Sequence, residues 1–124
     1  MTAYATASPA AYKQQSIMTA TPGRLVVMLY DGAIRFLFQA AAALREGVTP
    51  TALERLDRGE AIVDHLLATL DMSAGQIAER LEGIYVFSKR LLLEARLERD
   101  AGKIDLVRGY LSELRESWAQ IAGS

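Results

Sequence analysis

Residues able to do chemistry are few in this 124-residue chain, and their spacing argues against most of the chemistry they could do. His65 is the single histidine. A lone histidine on a bundle helix is the arrangement of phosphotransfer domains, and two residues past Val63 it stands about 200° round the helix, toward solvent. Leu66-Leu-Ala-Thr69 follows it, where such a domain places a basic residue and a glycine. An ordinary surface histidine is the simpler reading, with phosphotransfer through His65 as an alternative. Paired carboxylates do acid–base work only when they are buried and convergent. Asp31 sits alone in an apolar stretch, four residues before Arg35, and reads as a solvent-facing or Arg35-paired charge. Glu54, Asp57, Glu60 and Asp64 interleave with Arg55 and Arg58, the pattern of a solvated face. Lys89-Arg90, Arg96 and Arg99 alternate with Glu94, Glu98 and Asp100, with Arg90–Glu94 and Arg96–Asp100 at the spacing of helical ion pairs, not of a nucleic-acid stripe.

Composition closes further options. Without cysteine there is no thiolate nucleophile, disulfide or Cys-based zinc site, and one histidine cannot supply two Glu-x-x-His pairs. Fourteen Lys and Arg against fifteen Asp and Glu leave a net charge of −1, which disfavours binding to a phosphate backbone. The nine glycines are scattered and form no phosphate-cradling loop. The reading is therefore no enzyme, no cofactor and no metal. No basic, apolar leader opens the chain and no window approaches 18 uncharged apolar residues, so it reads as cytoplasmic, without membrane insertion.

What must position any site is helical. Hydrophobic residues reach 51%, and Ala, Leu, Arg and Glu dominate. Residues 1–20 carry one charge, Lys13, and no amphipathic period, and read as an arm tethered at Tyr12, Ile17 and Met18. Residues 21–124 read as a bundle domain. Thr21-Pro22 starts helix A, which stops at Gly47; Thr51-Ala-Leu-Glu54 is a capping box for helix B, running to about Leu70. Ser73-Ala-Gly-Gln76 has the same logic for helix C, reaching about Asp100. Gly102 then supplies a left-handed residue before helix D, from about Lys103 to Ile121. Apolar seams run through Leu25, Leu29, Gly32, Phe36, Ala40 and Ala43; through Leu53, Leu56, Glu60, Val63, Leu67 and Leu70; through Ile77, Leu81, Ile84, Ser88, Leu91 and Ala95; and through Ile104, Val107, Leu111, Leu114, Trp118 and Ile121. Four seams with short connections predict an all-α, antiparallel up-and-down four-helix bundle.

Helices A and C carry more apolar surface than one seam needs, including Val26, Val27, Met28, Tyr30, Tyr85, Val86, Phe87, Leu92, Leu93 and Leu97. Either this fills a wide core, or it leaves a groove for an amphipathic partner helix; the excess over both helices favours the groove. The apolar tips of the arm suit a cover for it.

The strings Ala11-Tyr-Lys-Gln-Gln-Ser16, Thr19-Ala-Thr-Pro22 and Met28-Leu-Tyr-Asp-Gly32 resemble the opening of the FliS family, the export chaperones for flagellin. Lys89-Arg-Leu-Leu-Leu-Glu-Ala95, Asp100 and Glu116-Ser-Trp-Ala-Gln-Ile121 resemble its later helices, so that the likeness spans about residues 11–121. The chain departs from the family pattern at Ile84-Tyr-Val-Phe87 and at Arg96. The resemblance implies a cytoplasmic four-helix chaperone that binds the C-terminal segment of flagellin. It would block premature polymerisation and deliver its client to the flagellar type III export gate, with Tyr12 in an arm over the binding surface. On helix phase, the groove candidates are Ile34, Leu37, Phe38, Ile62, Leu66, Tyr85, Leu92 and Tyr110. The chain is expected to be a monomer or weak homodimer, with a self-associating helical adaptor as a further alternative.

Overall fold

The computed structural model describes residues 22–122. Among them are four α-helices, α1 (Pro22–Arg45), α2 (Thr49–Ala68), α3 (Gln76–Glu98) and α4 (Ala101–Ala122), with a 3-10 turn at Met72–Ala74 and no strand. The helices form the expected bundle. The arm residues Tyr12, Ile17 and Met18, and the Thr21 cap, lie outside the described residues.

Each connection is made differently from the pattern read in the sequence, except the first stop. Gly47 takes a left-handed φ of 79°, letting Val48 N–H reach back to the Ala43 carbonyl at 2.9 Å. Thr51 caps nothing: α2 already begins at Thr49, behind a Val48 without a side-chain cap, because Pro50 in the first turn is preshaped for the helix. Between α2 and α3 the capping side chain is Asp71, whose Oδ1 accepts from Ser73 N (3.0 Å) and Ser73 Oγ (2.6 Å). The two serine bonds hold the Asp71 carboxyl below its ordinary pKa. At the last connection the left-handed residue is Arg99 (φ 56°), not Gly102. Asp100 then accepts from Gly102 N–H at 2.9 Å and opens α4.

The core holds Tyr30, Leu37, Leu56, Val63, Leu66, Tyr85, Leu91, Leu92, Ile104, Val107 and Leu111, with Ala33, Ala40, Ala41 and Ala95 between them. Small residues set its geometry. A Cβ placed on Gly59 would lie 2.7 Å from Leu37 Cδ2 and 3.7 Å from the Ala33 carbonyl, so α1 and α2 pack nearly backbone to backbone. The alanines of α1 let α4 approach as closely, whereas α3 packs more loosely on both α2 and α4. The α1 seam is thus turned by about one position from the one expected: Tyr30, Ala33 and Leu37 face inward, and Phe36 sits only half-buried on the flank.

Arg58–Glu54 and Arg108–Asp105 pair along their helices, but the three pairs expected at that spacing are made across helices instead. Asp31 pairs with Arg115 of α4 (2.8 Å), not with Arg35. Arg96 reaches Asp57 (2.6 Å) and Glu60 (2.9 Å) of α2, not Asp100. Glu94 binds Lys103 (2.8 Å), not Arg90. By length and composition α1 is apolar enough to cross a membrane; in the bundle its Tyr30, Ala33, Leu37 and Ala40 face the core.

Candidate functional site: two apolar clefts

Among the described residues, two strongly apolar concavities border α3, and a third, about 470 Å³, opens on the α1–α2 flank beside Phe36, Ala61 and Ile62. The first runs between α3 and α4, about 300 Å³, lined by Ile84, Phe87, Tyr110, Glu113 and Leu114. Its existence follows from the loose seat of α3: Phe87 and Tyr110 meet across the seam with ring centroids 6.2 Å apart instead of being swallowed by it. Phe87 stays 45% exposed, and Leu106, on the same flank of α4, 50%. Glu113 supplies charge within the cleft, and Lys103, bound to Glu94 and Glu98, lies two helical turns back along α4.

The second cleft, about 250 Å³, lies at the end of the bundle where α1 begins and α4 finishes. Val26, Leu66, Leu70, Ile77, Leu81, Tyr85 and Trp118 line it. Tyr85 in its wall shares a hydroxyl hydrogen bond with Tyr30, which joins α1 to α3 through the core. Burial pushes both phenols above their ordinary pKa, and the hydrogen bond to Tyr30 raises that of Tyr85 further. Both stay protonated and act as fixed hydrogen-bonding struts, without acid–base use.

The structure scatters the eight expected groove residues. Leu37 and Leu92 are fully buried, and Leu66 and Tyr85 nearly so, which makes these four core residues in the closed bundle. Leu37 turns inward with the shift of the α1 seam, whereas Leu66, Tyr85 and Leu92 widen the buried faces of α2 and α3 beside the expected seam. Leu66 and Tyr85 still show an edge to the end cleft, and Tyr110 lines the α3–α4 cleft. Ile34 is half-buried against the core. Phe38 is exposed at the α1–α4 flank under the Arg108 guanidinium, 5.0 Å from the ring centroid. Ile62 lies on the α1–α2 flank beside Phe36 and Arg58. Phase reasoning overlooked Ile84, Phe87, Leu114 and Trp118, the first and the last two of them because they had been assigned to seams.

His65 is exposed near the end of α2. Among the described residues no group of three or more His, Asp or Glu is placed to hold a metal.

A long helical bundle with apolar clefts fits several families, so comparison decides. The family model for flagellar protein FliS matches residues 4–124. The chain belongs to the FliS family. It is 38% identical over 111 residues to the flagellar secretion chaperone FliS of Salmonella typhimurium, covering 88% of this chain and 82% of that protein. It is 33% identical over 110 residues to the protein of that name from Bacillus subtilis (89% and 82%). To that from Vibrio cholerae it is 34% identical over 116 residues (90% and 85%). FliS membership supports an export-chaperone role, fits the reading of the chain as no enzyme, and does not favour phosphotransfer through His65.

Proposed function

We propose that this chain is a cytoplasmic export chaperone that holds the C-terminal helical segment of flagellin on its apolar clefts, keeping it from polymerising until delivery to the flagellar export gate. The observation that carries this reading is the α3–α4 cleft. Phe87, Tyr110, Ile84 and Leu114 form a contiguous apolar trough along two helices, the shape an amphipathic helix fills. The relatives' printed name, flagellar secretion chaperone, supplies the client class. Capture removes the polymerising face by mass action, so neither a nucleotide nor a cofactor is required.

The end cleft serves a second stretch of the same client. It opens one helical turn from Pro22, within reach of the preceding arm, and we assign Tyr12, Ile17 and Met18 to covering it when the client is absent. Ile34, Phe38 and Ile62 lie on other flanks and are assigned peripheral contacts, with Arg108 packed over the exposed Phe38 ring and Ile62 bordering the α1–α2 concavity.

Sedimentation of the chain with a flagellin C-terminal peptide tests the reading. A 1:1 complex is expected, weakened at least tenfold by Phe87→Asp or Tyr110→Asp with the helical circular dichroism unchanged. Binding unaffected by either substitution would remove the cleft from the mechanism, and self-association without peptide capture would favour the adaptor reading.

A further inference from the structure

The four helices are not equally bound to one another. α1 packs closely on α2 and α4, through Gly59 against Leu37 and through its alanine face. α3 has no such partner. Its inward face buries Leu91, Leu92 and Ala95 beside Ser88, whose Oγ has no hydrogen-bond partner, and Tyr85, tied through its hydroxyl to Tyr30. Its outward face leaves Val86, Leu93 and Leu97 exposed.

What closes the edges of α3 is charge. Toward α2, Lys89 binds Asp64 (2.6 Å) and Arg96 bridges Asp57 and Glu60. Toward α4, Lys103 spans Glu94 (2.8 Å) and Glu98 (2.9 Å). The α1–α4 edge has ion pairs too, Asp31–Arg115 and Arg45–Asp105, but these overlie close apolar packing.

We propose that α3 is a releasable stave: its ionic clasps to α2 and α4 decide whether it stays seated, and screening them parts it from the other three helices, uncovering Leu66, Tyr85 and Leu92. The device is a property of the chain alone and does not depend on the identity of the client. It gives three of the four buried members of the expected groove a route to the surface, because Leu92 and Tyr85 leave the core with α3 and expose Leu66 behind them.

Hydrogen exchange of the full chain read by mass spectrometry tests this, in about 0.1 M and about 1 M sodium chloride, where the screening length falls from about 10 Å to about 3 Å. Amides of residues 82–98 are expected to exchange on the order of five- to tenfold faster at high salt, while those of residues 30–44 hold their rates, since salt does not weaken apolar packing. Lys89→Gln with Arg96→Gln should make α3 exchange fast at low salt and blunt its response. Arg115→Gln should leave α3 as it was. Unchanged α3 protection at 1 M salt, or equal loss from all four helices, would overturn the proposal. If the double variant fails to fold, the salt series on the native chain decides alone.

Discussion

Gly59→Ala offers the sharpest check on the geometry of the α1–α2 contact. The added methyl would sit 2.7 Å from Leu37 Cδ2 and 3.0 Å from Leu37 Cγ, both inside van der Waals contact. Leu37 is fully buried with little room to swing aside, and the Ala33 carbonyl stands 3.7 Å from the same added methyl. The helices must therefore separate by several tenths of an ångström, a strain of about 1–3 kcal/mol for one inserted methyl. Against this, alanine gains about 1 kcal/mol over glycine in a helix interior. The net expectation is a loss of about 0–2 kcal/mol. Gly83 provides the control, since a Cβ there meets nothing within 4 Å among the described residues. Gly83→Ala should thus gain about 1 kcal/mol. The difference between the two variants isolates the steric cost, about 1–3 kcal/mol. Gly32→Ala should fall between them, because its only close neighbour is the tip of Ile62 at 3.2 Å. Urea unfolding followed by helical circular dichroism, with equal slopes, measures all three. If Gly59→Ala proved as stabilising as Gly83→Ala, the close approach of α1 and α2 would be refuted.

Other substitutions probe other parts of the bundle. Ser88→Ala removes a buried hydroxyl without a partner and should stabilise by about 1 kcal/mol in the same urea assay. Tyr85→Phe leaves Tyr30 without its hydroxyl partner and should cost about 1–2 kcal/mol, whereas Tyr85→Asp, placed in the core, should abolish cooperative melting. Arg99→Gly relieves a left-handed side-chain residue and should raise the urea midpoint, by up to about 1 kcal/mol of stability. Burial raises the pKa of the Asp105 carboxyl, but bonds from Arg45 and Arg108 outweigh it, so the folded value lies below the unfolded value of about 3.9. Its contribution is therefore present above that unfolded value and lost as pH falls through the folded one. Stability should drop below about pH 4, and less steeply in Asp105→Asn, in a pH series of urea midpoints.

Much of this architecture was legible in the residues. Period and punctuation mark four helices because each must bury one stripe, and Gly47 marks a stop because its left-handed φ is awkward for other residues. What escaped was relational. The α1 seam turned by one position because alanines, weakly hydrophobic in a pattern, become the contact face once two helices approach closely. Ion pairs expected along helices formed across them, since Asp57 and Glu60 lie nearer Arg96 than Asp100 does in the folded bundle. The α3–α4 cleft depends on how far α3 stands off, which no single helix encodes. Helix phase names Tyr110 as a groove candidate without giving the cleft, and names Phe87 only as surplus apolar surface.

Trp118 is the chain's single tryptophan, and it stands in the wall of the end cleft, with Tyr30 as a hydrogen-bonding neighbour. Whatever lodges in that cleft, client or arm, must displace solvent from the indole. The molecule therefore carries its own unlabelled optical gauge: a shift in emission colour follows filling and emptying of one cavity, with no second indole to blur the signal.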